Sequence, residues 1–354
     1  MQRSASVEIN LDALTHNLSV VREHAGDANI MAVIKANAYG HGMLKVALYL
    51  EDKVDALAVA CAEEAIVLRE AGIKTRIVVL QGFHHADQLR QCDLFRLEPV
   101  CHQYWQIDLL LQTTLNQPLK IWLKADTGMH RLGMSVEEIK QAFQKLNNSR
   151  QIEKIHLMSH FANADEPENA LNQEQLKRFD DLQSSLSTEA SLANSAAIMS
   201  MPAAIKDWVR PGVMLYGASP LANKSAPELG LKPVMSLASQ VIAITDVKAG
   251  EAVGYGSSWV SETDSKMAVV AIGYGDGYPR HATSGTPVNI NGRLCPLVGR
   301  VSMDMICVDI SEMDDTVNIG DSAILWAQKP AVDEVAHSAG TIGYELLCHV
   351  GKDQ

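Results

Sequence analysis

The chain has 354 residues, 47% hydrophobic and 20% charged, with a formal net charge of −12. That size suits two domains or one large one, and the composition is ordinary for a globular enzyme. The acidic balance without any Lys/Arg block argues against nucleic-acid binding. No long uncharged apolar span offers a membrane helix, and "MQRSASVEINLDALTHN" lacks the apolar core of a secretory signal.

In chain order, the first strong signal is the apolar run at residues 30–34, which reads as a fully buried strand. It ends at Lys35 within "AVIKANAYGHG" (residues 32–42), where a loop is expected. A buried lysine is costly unless paired or chemically used. "ALAVA" (56–60) reads as the next strand, and "AEEAIVLREAG" as a helix ending at Gly72. "TRIVVL" (75–80), "LKIWLKAD" (119–126) and "IEKIHLMSH" (152–160) continue the rhythm, and "NQEQLKRFDDLQSSL" (172–186) is helical. Such alternation predicts a parallel sheet covered by helices. Eight units would close a (β/α)8 TIM-type barrel, and the length to about Pro233 suits one. An open doubly wound sheet is the alternative, weakened by the lack of a G-x-G-x-x-G after the first strand.

Beyond Pro233 the texture changes. "SLASQVIAITDV" (236–247), "KMAVVAIGY" (266–274), "TPVNINGRLCPLVG" (286–299) and "SMDMICVDI" (302–310) are short and strand-like. Asn291-Gly292 signals a hairpin, because both central turn positions need positive φ. Helix signals return only near residues 331–339. The expected division is a barrel over 1–233 and a mostly β domain over 234–354. Six scattered cysteines form no C-x-x-C pair and read as small buried hydrophobes of a reducing cytoplasm; no metal site is expected.

Catalytic groups of a parallel barrel sit at the strand C-termini. Lys35, Asp126, Arg131 and His160 all follow apolar runs and would share one rim. By residue type alone, Lys35 is either a surface lysine or a Schiff-base lysine with a desolvated, nucleophilic amine. Tyr255 reads as a packed turn aromatic, Arg210 as a surface residue before Pro-Gly, His160 as a core histidine, and Asn194-Ser195 as a helix cap.

"AVIKANAYGHG" closely resembles the pyridoxal-phosphate attachment segment of alanine racemases. The resemblance continues through "KADTGMHRLG" (124–133), "SHFANAD" (159–165), "LANSAA" (192–197) and "VRPGVMLYGASP" (209–220). It runs on through "VGYGSSW" (253–259), "IGYGDGYPR" (272–280), "VGRVSMDM" (298–305) and "GYELLC" (343–348). It implies an N-terminal (β/α) barrel, a C-terminal β domain, and a head-to-tail homodimer with shared active sites. It also implies pyridoxal 5'-phosphate as cofactor, alanine as substrate, and D-alanine for peptidoglycan as product.

The implied site follows residue by residue. Lys35 holds the cofactor and handles the D-alanine proton; Tyr255, reaching the partner's barrel, handles the L-alanine proton. Arg210 would donate to the pyridine nitrogen, and His160 would pack near the ring. Arg131 would hold the substrate carboxylate, helped by the Met303 amide. Lys124 matches a position carbamylated in many members. Tyr39, Ser195, Gly212, Val213 and Tyr344 would hold the phosphate. Asp165, Tyr274, Arg280 and Arg300 resemble an access corridor. Members often carry Cys where this chain has Ser302. Two other readings are a non-enzymatic pyridoxal-phosphate-binding protein of the same barrel, which typically lacks the β domain, and a broader-specificity amino-acid racemase.

Overall fold

The computed structural model describes residues 5–313 and 316–350. The chain opens with strand β1 (Ser6–Ile9) and helix α1 (Leu11–Ala25). Asn10 caps α1, its side chain accepting from the amides of Asp12 and Ala13. Strand β2 (Asn29–Val33) leads into a single turn, α2 (Lys35–Gly40), and helix α3 (Met43–Leu50). Then come β3 (Ala56–Val59), α4 (Ala62–Glu70), β4 (Arg76–Val79), α5 (Ala86–Leu94), β5 (Glu98–Cys101) and α6 (Tyr104–Gln112). They are followed by β6 (Leu119–Lys124), α7 (Val136–Asn147), β7 (Ile152–Met158), α8 (Ala170–Leu186), β8 (Ala190–Asn194), α9 (Ser195–Ser200) and β9 (Trp208–Arg210).

Strands β2 to β9 form a closed parallel barrel. The closing pair is β2–β9, with Asn29 opposite Trp208 and Ile30 opposite Val209. Closure rules out the open doubly wound sheet. The strands read as continuous apolar runs because both faces are covered, by helices outside and by packed side chains within.

At the N-terminal end, charged and aromatic side chains plug the barrel. Arg76, Glu98 and Trp208 are the first residues of β4, β5 and β9. Arg76 grips Glu98 through both ends of its guanidinium, at 2.6 and 2.9 Å, and lies 4.6 Å over the Trp208 ring. Trp122 Nε1 donates to Glu98 Oε2 at 3.0 Å, and its ring stacks on His156 at 4.3 Å. Burial, then the nearby Arg76 charge, pushes the His156 pKa down to about 3. With this end filled, the opposite rim is where a ligand can enter.

The second sheet is antiparallel. Strand β10 (Met235–Val247) runs its length and pairs with β13 (Ser265–Val270), while the short β11 (Ala252–Val253) and β12 (Trp259–Val260) pair only with each other. β14 (Pro287–Ile290), β15 (Arg293–Val298), β16 (Ile306–Asp309) and β17 (Ser322–Trp326) complete the domain. The sheet order is β1-β10-β13-β16-β15-β14-β17, with β17 also pairing β10. β1 therefore belongs to this sheet although it precedes the barrel in sequence, Ile9 facing Met235. The β14–β15 turn has φ of 50° at Asn291 and 84° at Gly292, as its sequence predicts.

Helix α10 (Val332–Ser338) falls where helix signals return. A further helix, α11 (Gly343–Val350), corrects the expectation that helix is confined to residues 331–339. It begins at a glycine and spans barely two turns, too short for its period to stand out. Tertiary packing decides it: Leu346, Leu347 and Val350 are buried, and Tyr344 reaches back to Tyr39, ring centroids 6.1 Å apart.

Candidate active site

Lys35 follows the last barrel residues of β2, and the chain then turns sharply. Ala36, Asn37, Ala38 and Tyr39 have φ of 52–53° with ψ of 39–55°, a complete left-handed helical turn. The loop expected here is thus an ordered structure that L-residues avoid, at about 1–2 kcal/mol each. Asparagine tolerates this region; alanine and tyrosine do not, so their surroundings hold them. The Glu64 carboxylate accepts from the Ala36 amide at 2.8 Å, and Asn37 Oδ1 accepts from the Met43 amide at 2.7 Å. His41 Nδ1 donates to the carbonyls of Ala38 and Tyr39, at 3.0 and 2.9 Å.

The turn points residues at the rim. Tyr39 stacks on Tyr216 with centroids 4.9 Å apart, and its hydroxyl meets Gly212. A Cβ added at Gly212 would lie 2.6 Å from that hydroxyl, so only glycine fits. Ser195, the first residue of α9, accepts from the Gly212 amide at 2.8 Å and the Met214 amide at 3.5 Å. Asn194 caps α9 as its sequence suggests, accepting from the Ala197 amide at 3.0 Å. Tyr39, Ser195, Gly212, Val213 and Tyr344 are therefore gathered around one cradle. Burial raises both tyrosine pKa values, keeping the phenols protonated as donors.

The rim is rich in cations. Arg210 is buried, not the surface residue its Pro-Gly context suggested. It donates to Ser191 Oγ at 2.6 Å and to the carbonyls of Ser159 at 2.6 Å and Leu192 at 3.2 Å. Its guanidinium also meets His160 Nδ1 at 3.3 Å. Arginine only donates, so this His160 nitrogen accepts and the ring is neutral. Burial, then the Arg210 charge, holds the His160 pKa well below its ordinary value. Burial pushes Lys124 down to about 8, reinforced by Arg210, Arg131 and Lys35. Lys35 is likewise lowered, by burial first and then by Arg131, against opposing contributions from Glu64 and Cys348. The Asp126 carboxylate is engaged by its own loop, accepting from the Gly128 and His130 amides at 3.0 and 3.1 Å. The side chains of Lys35, Lys124 and Arg131 make no hydrogen bond or ion pair among the described residues. A cavity of about 1060 Å³ opens beside His160, lined also by Asp165, Asn194, Tyr344 and others.

Of the β-domain candidates, Tyr344 joins the cradle, and the others are exposed. Tyr255 is 68% exposed and Met303 54%. Tyr255 is therefore not a packed turn aromatic in the single chain. Gly256 rests on the Arg300 guanidinium, 3.1 Å from where its Cβ would be. The Tyr274 amide donates to the Ser302 carbonyl at 3.1 Å, and the Gly275 amide to the Met303 carbonyl at 2.8 Å. Tyr255, Tyr274, Arg300 and Met303 thus form one exposed neighbourhood, with Arg280 exposed on the same domain. Sequence reasoning missed Glu64 and Cys348. The one available signal was an acidic residue in the first turn of α4.

Fold and rim together define a lysine-centred (β/α)8 barrel with an appended β domain, built to hold an anion beside an amine. Residues 9–220 match the family description "Alanine racemase, N-terminal domain" and residues 234–354 match "Alanine racemase, C-terminal domain". The chain belongs to the alanine racemase family. It is 52% identical over 353 residues to an alanine racemase of Thioalkalivibrio sulfidiphilus, covering 99% of this chain and 98% of that one. The biosynthetic alanine racemase of Pseudomonas aeruginosa superposes with a TM-score of 0.96 at 43% identity, covering 99% of this chain and 97% of that one. The alanine racemase of Bartonella henselae with covalently bound pyridoxal phosphate gives 0.88 at 30% identity, covering 99% and 98%.

Proposed function

We propose that this protein interconverts L-alanine and D-alanine with pyridoxal 5'-phosphate, providing D-alanine for peptidoglycan. The observation that carries this reading is the half-buried Lys35 amine, its basicity lowered, beside a cradle that only glycine permits. The residues present fit the cofactor: a lysine for its aldehyde, neutral donors for its phosphate, and a buried arginine for its ring. When bound, pyridoxal phosphate supplies an electron sink that makes the amino-acid α-proton removable.

The protein supplies the rest. Lys35 Nζ would tether the cofactor at rest, and as a free amine it holds or takes the α-proton on one face. A single base would return the proton to the face it left, so inversion needs a second group opposite. Tyr255 Oη from a second copy of the chain serves that face. Lys35 takes the D-alanine proton while Tyr255 delivers one, and the L-alanine direction reverses both transfers. The exposure of Tyr255 and Met303 supports a homodimer that seats them in the partner's rim.

Arg131, exposed and without a bonded carboxylate, receives the substrate carboxylate with its two-pronged guanidinium, and Met303 adds a backbone amide. Arg210 would donate to the pyridine nitrogen; because arginine only donates, it would favour that nitrogen unprotonated. His160, 3.3 Å from Arg210 through Nδ1, would pack near the ring. Tyr39, Ser195, Gly212, Val213 and Tyr344 would hold the phosphate. The Lys124 amine, lowered to about 8, adds CO2 to form a carbamate and a proton, and the new anion holds Arg131. Asp165, Tyr274, Arg280 and Arg300 line the approach. Cytoplasmic residence belongs to the same reading; none of the six cysteines forms a disulfide among the described residues.

The test is polarimetry with L-alanine on the purified holoenzyme and on two variants. Lys35→Ala and Tyr255→Phe each abolish racemisation. Mixed and reassociated, they regain about a quarter of wild-type sites, because half of the random dimers carry one intact shared site. No recovery on mixing, with confirmed exchange, would refute the shared site; an inactive wild type would refute the activity.

A further inference from the structure

We infer that Glu64 is a positioning residue for Lys35: its carboxylate ties the first amide of the left-handed turn to the end of the neighbouring strand. The inference rests on the function proposed above. Glu64 Oε1 accepts from the Ala36 amide at 2.8 Å, and Oε2 accepts from the Ala60 amide at 2.7 Å. One side chain on α4 thereby bridges the chain just after β2 and just after β3. Its effect lands on the residue next to Lys35.

The bridge sits where the backbone most needs it. Ile34 has φ of −119° and Ala36 has φ of 53°, so the chain reverses its handedness across Lys35 alone. Four successive left-handed residues store strain that would relax if the turn were released. Asn37 and His41 secure the later part of the turn, and Glu64 secures its start. A carboxylate suits this task because each oxygen accepts separately and the charge strengthens both bonds.

The same charge faces the Lys35 amine. Arg131 and Arg210 oppose protonation of that amine; Glu64 and Cys348 favour it. Lys124, from β6, adds a further cation within reach. Glu64 thus both places Lys35 and keeps its basicity from falling further.

Glu64→Gln keeps the shape but offers one acceptor and sets an N–H against an amide. On the holoenzyme, we expect kcat to fall about 10- to 100-fold, the value of one charge-assisted hydrogen bond. The acidic limb of the D-to-L kcat profile moves to lower pH, because Lys35 loses a stabilising negative charge. Amide exchange over residues 35–40 quickens while the remaining barrel is unchanged. Glu64→Asp retains the charge but is too short to span both amides, so it restores the pH limb and leaves exchange fast. Glu63→Gln, an exposed neighbour, behaves as wild type.

Wild-type kinetics, pH limb and exchange in Glu64→Gln would overturn the inference. Should Glu64→Gln fail to fold, Glu64→Asp with wild-type exchange over residues 35–40 would do so instead. If the wild-type protein fails to racemise alanine, the exchange measurement still decides the placement of Lys35 independently of activity.

Discussion

Removing Glu98 tests the filled end of the barrel. Glu98 is 5% exposed and accepts three N–H bonds, two from Arg76 and one from Trp122. Glu98→Ala leaves the Arg76 guanidinium without a counter-charge and the buried Trp122 indole without an acceptor. Breaking a buried pair by removing one partner costs about 3–5 kcal/mol, and an orphaned buried donor about 1–3 kcal/mol. Arg76 keeps 31% side-chain exposure, so water recovers part of its loss. Its bond to His156 Nε2 at 3.3 Å and its seat over Trp208 also survive. The net expectation is about 4 kcal/mol, a large share of ordinary domain stability. The assay is urea unfolding at fixed protein concentration, which matters if the folded species is a dimer. Replacing Arg76 and Glu98 together by methionine should recover the unpaired-charge share of the loss and leave about 1–3 kcal/mol, since the Trp122 indole still lacks its acceptor. Both variants, where folded, should keep kcat and KM, because the plug lies at the far end of the barrel from Lys35. A loss below about 1 kcal/mol for Glu98→Ala, or a double variant as unstable as the single, would refute this account.

Gly212→Ala drives a methyl into the Tyr39 hydroxyl, and should weaken pyridoxal 5'-phosphate binding by about tenfold or more with little change in unfolding; fluorescence titration of the apoprotein measures it. Stability should fall on acidification below about pH 6.5, by about 1.4 kcal/mol per pH unit for each buried neutral histidine. His41 at about 4, His156 at about 3 and His160 well below its usual value are neutral in the fold and take up protons only on unfolding. The unfolded chain therefore binds more protons in that window. His156→Gln should flatten the slope in urea midpoints measured from pH 7 to pH 5. Carbamylation of Lys124 should rise as pH passes about 8, where its free amine predominates, and 13C NMR under labelled CO2 reads it directly. Lys124→Ala should raise KM for alanine more than it lowers kcat, by loosening Arg131.

Much of the rim was legible because barrel chemistry sits at strand ends, and strand ends are local sequence features. Lys35, Asp126, Arg131 and His160 each follow an apolar run and share the barrel rim in the structure. What was not legible depends on neighbours distant in the chain. The left-handed turn at "ANAYG" contradicts the preferences of two of its four residue types, alanine and tyrosine, and Glu64 and His41 hold it in place. Arg210 appeared as a surface residue because nothing local reveals that Ser191, Ser159 and Leu192 close around it.

By itself the sequence determined the alternation of strand and helix, the shift to short strands after Pro233, the Asn291-Gly292 hairpin and the family motifs. Each is written in periodicity or in residues adjacent along the chain. Only the tertiary structure decided that β2 meets β9 to close the barrel, that β1 crosses into the second sheet, and that α11 folds back over Tyr39. Those pairings join residues about 180 to 300 positions apart. Their free energy comes from burial and from hydrogen bonds between segments, and no local pattern encodes it.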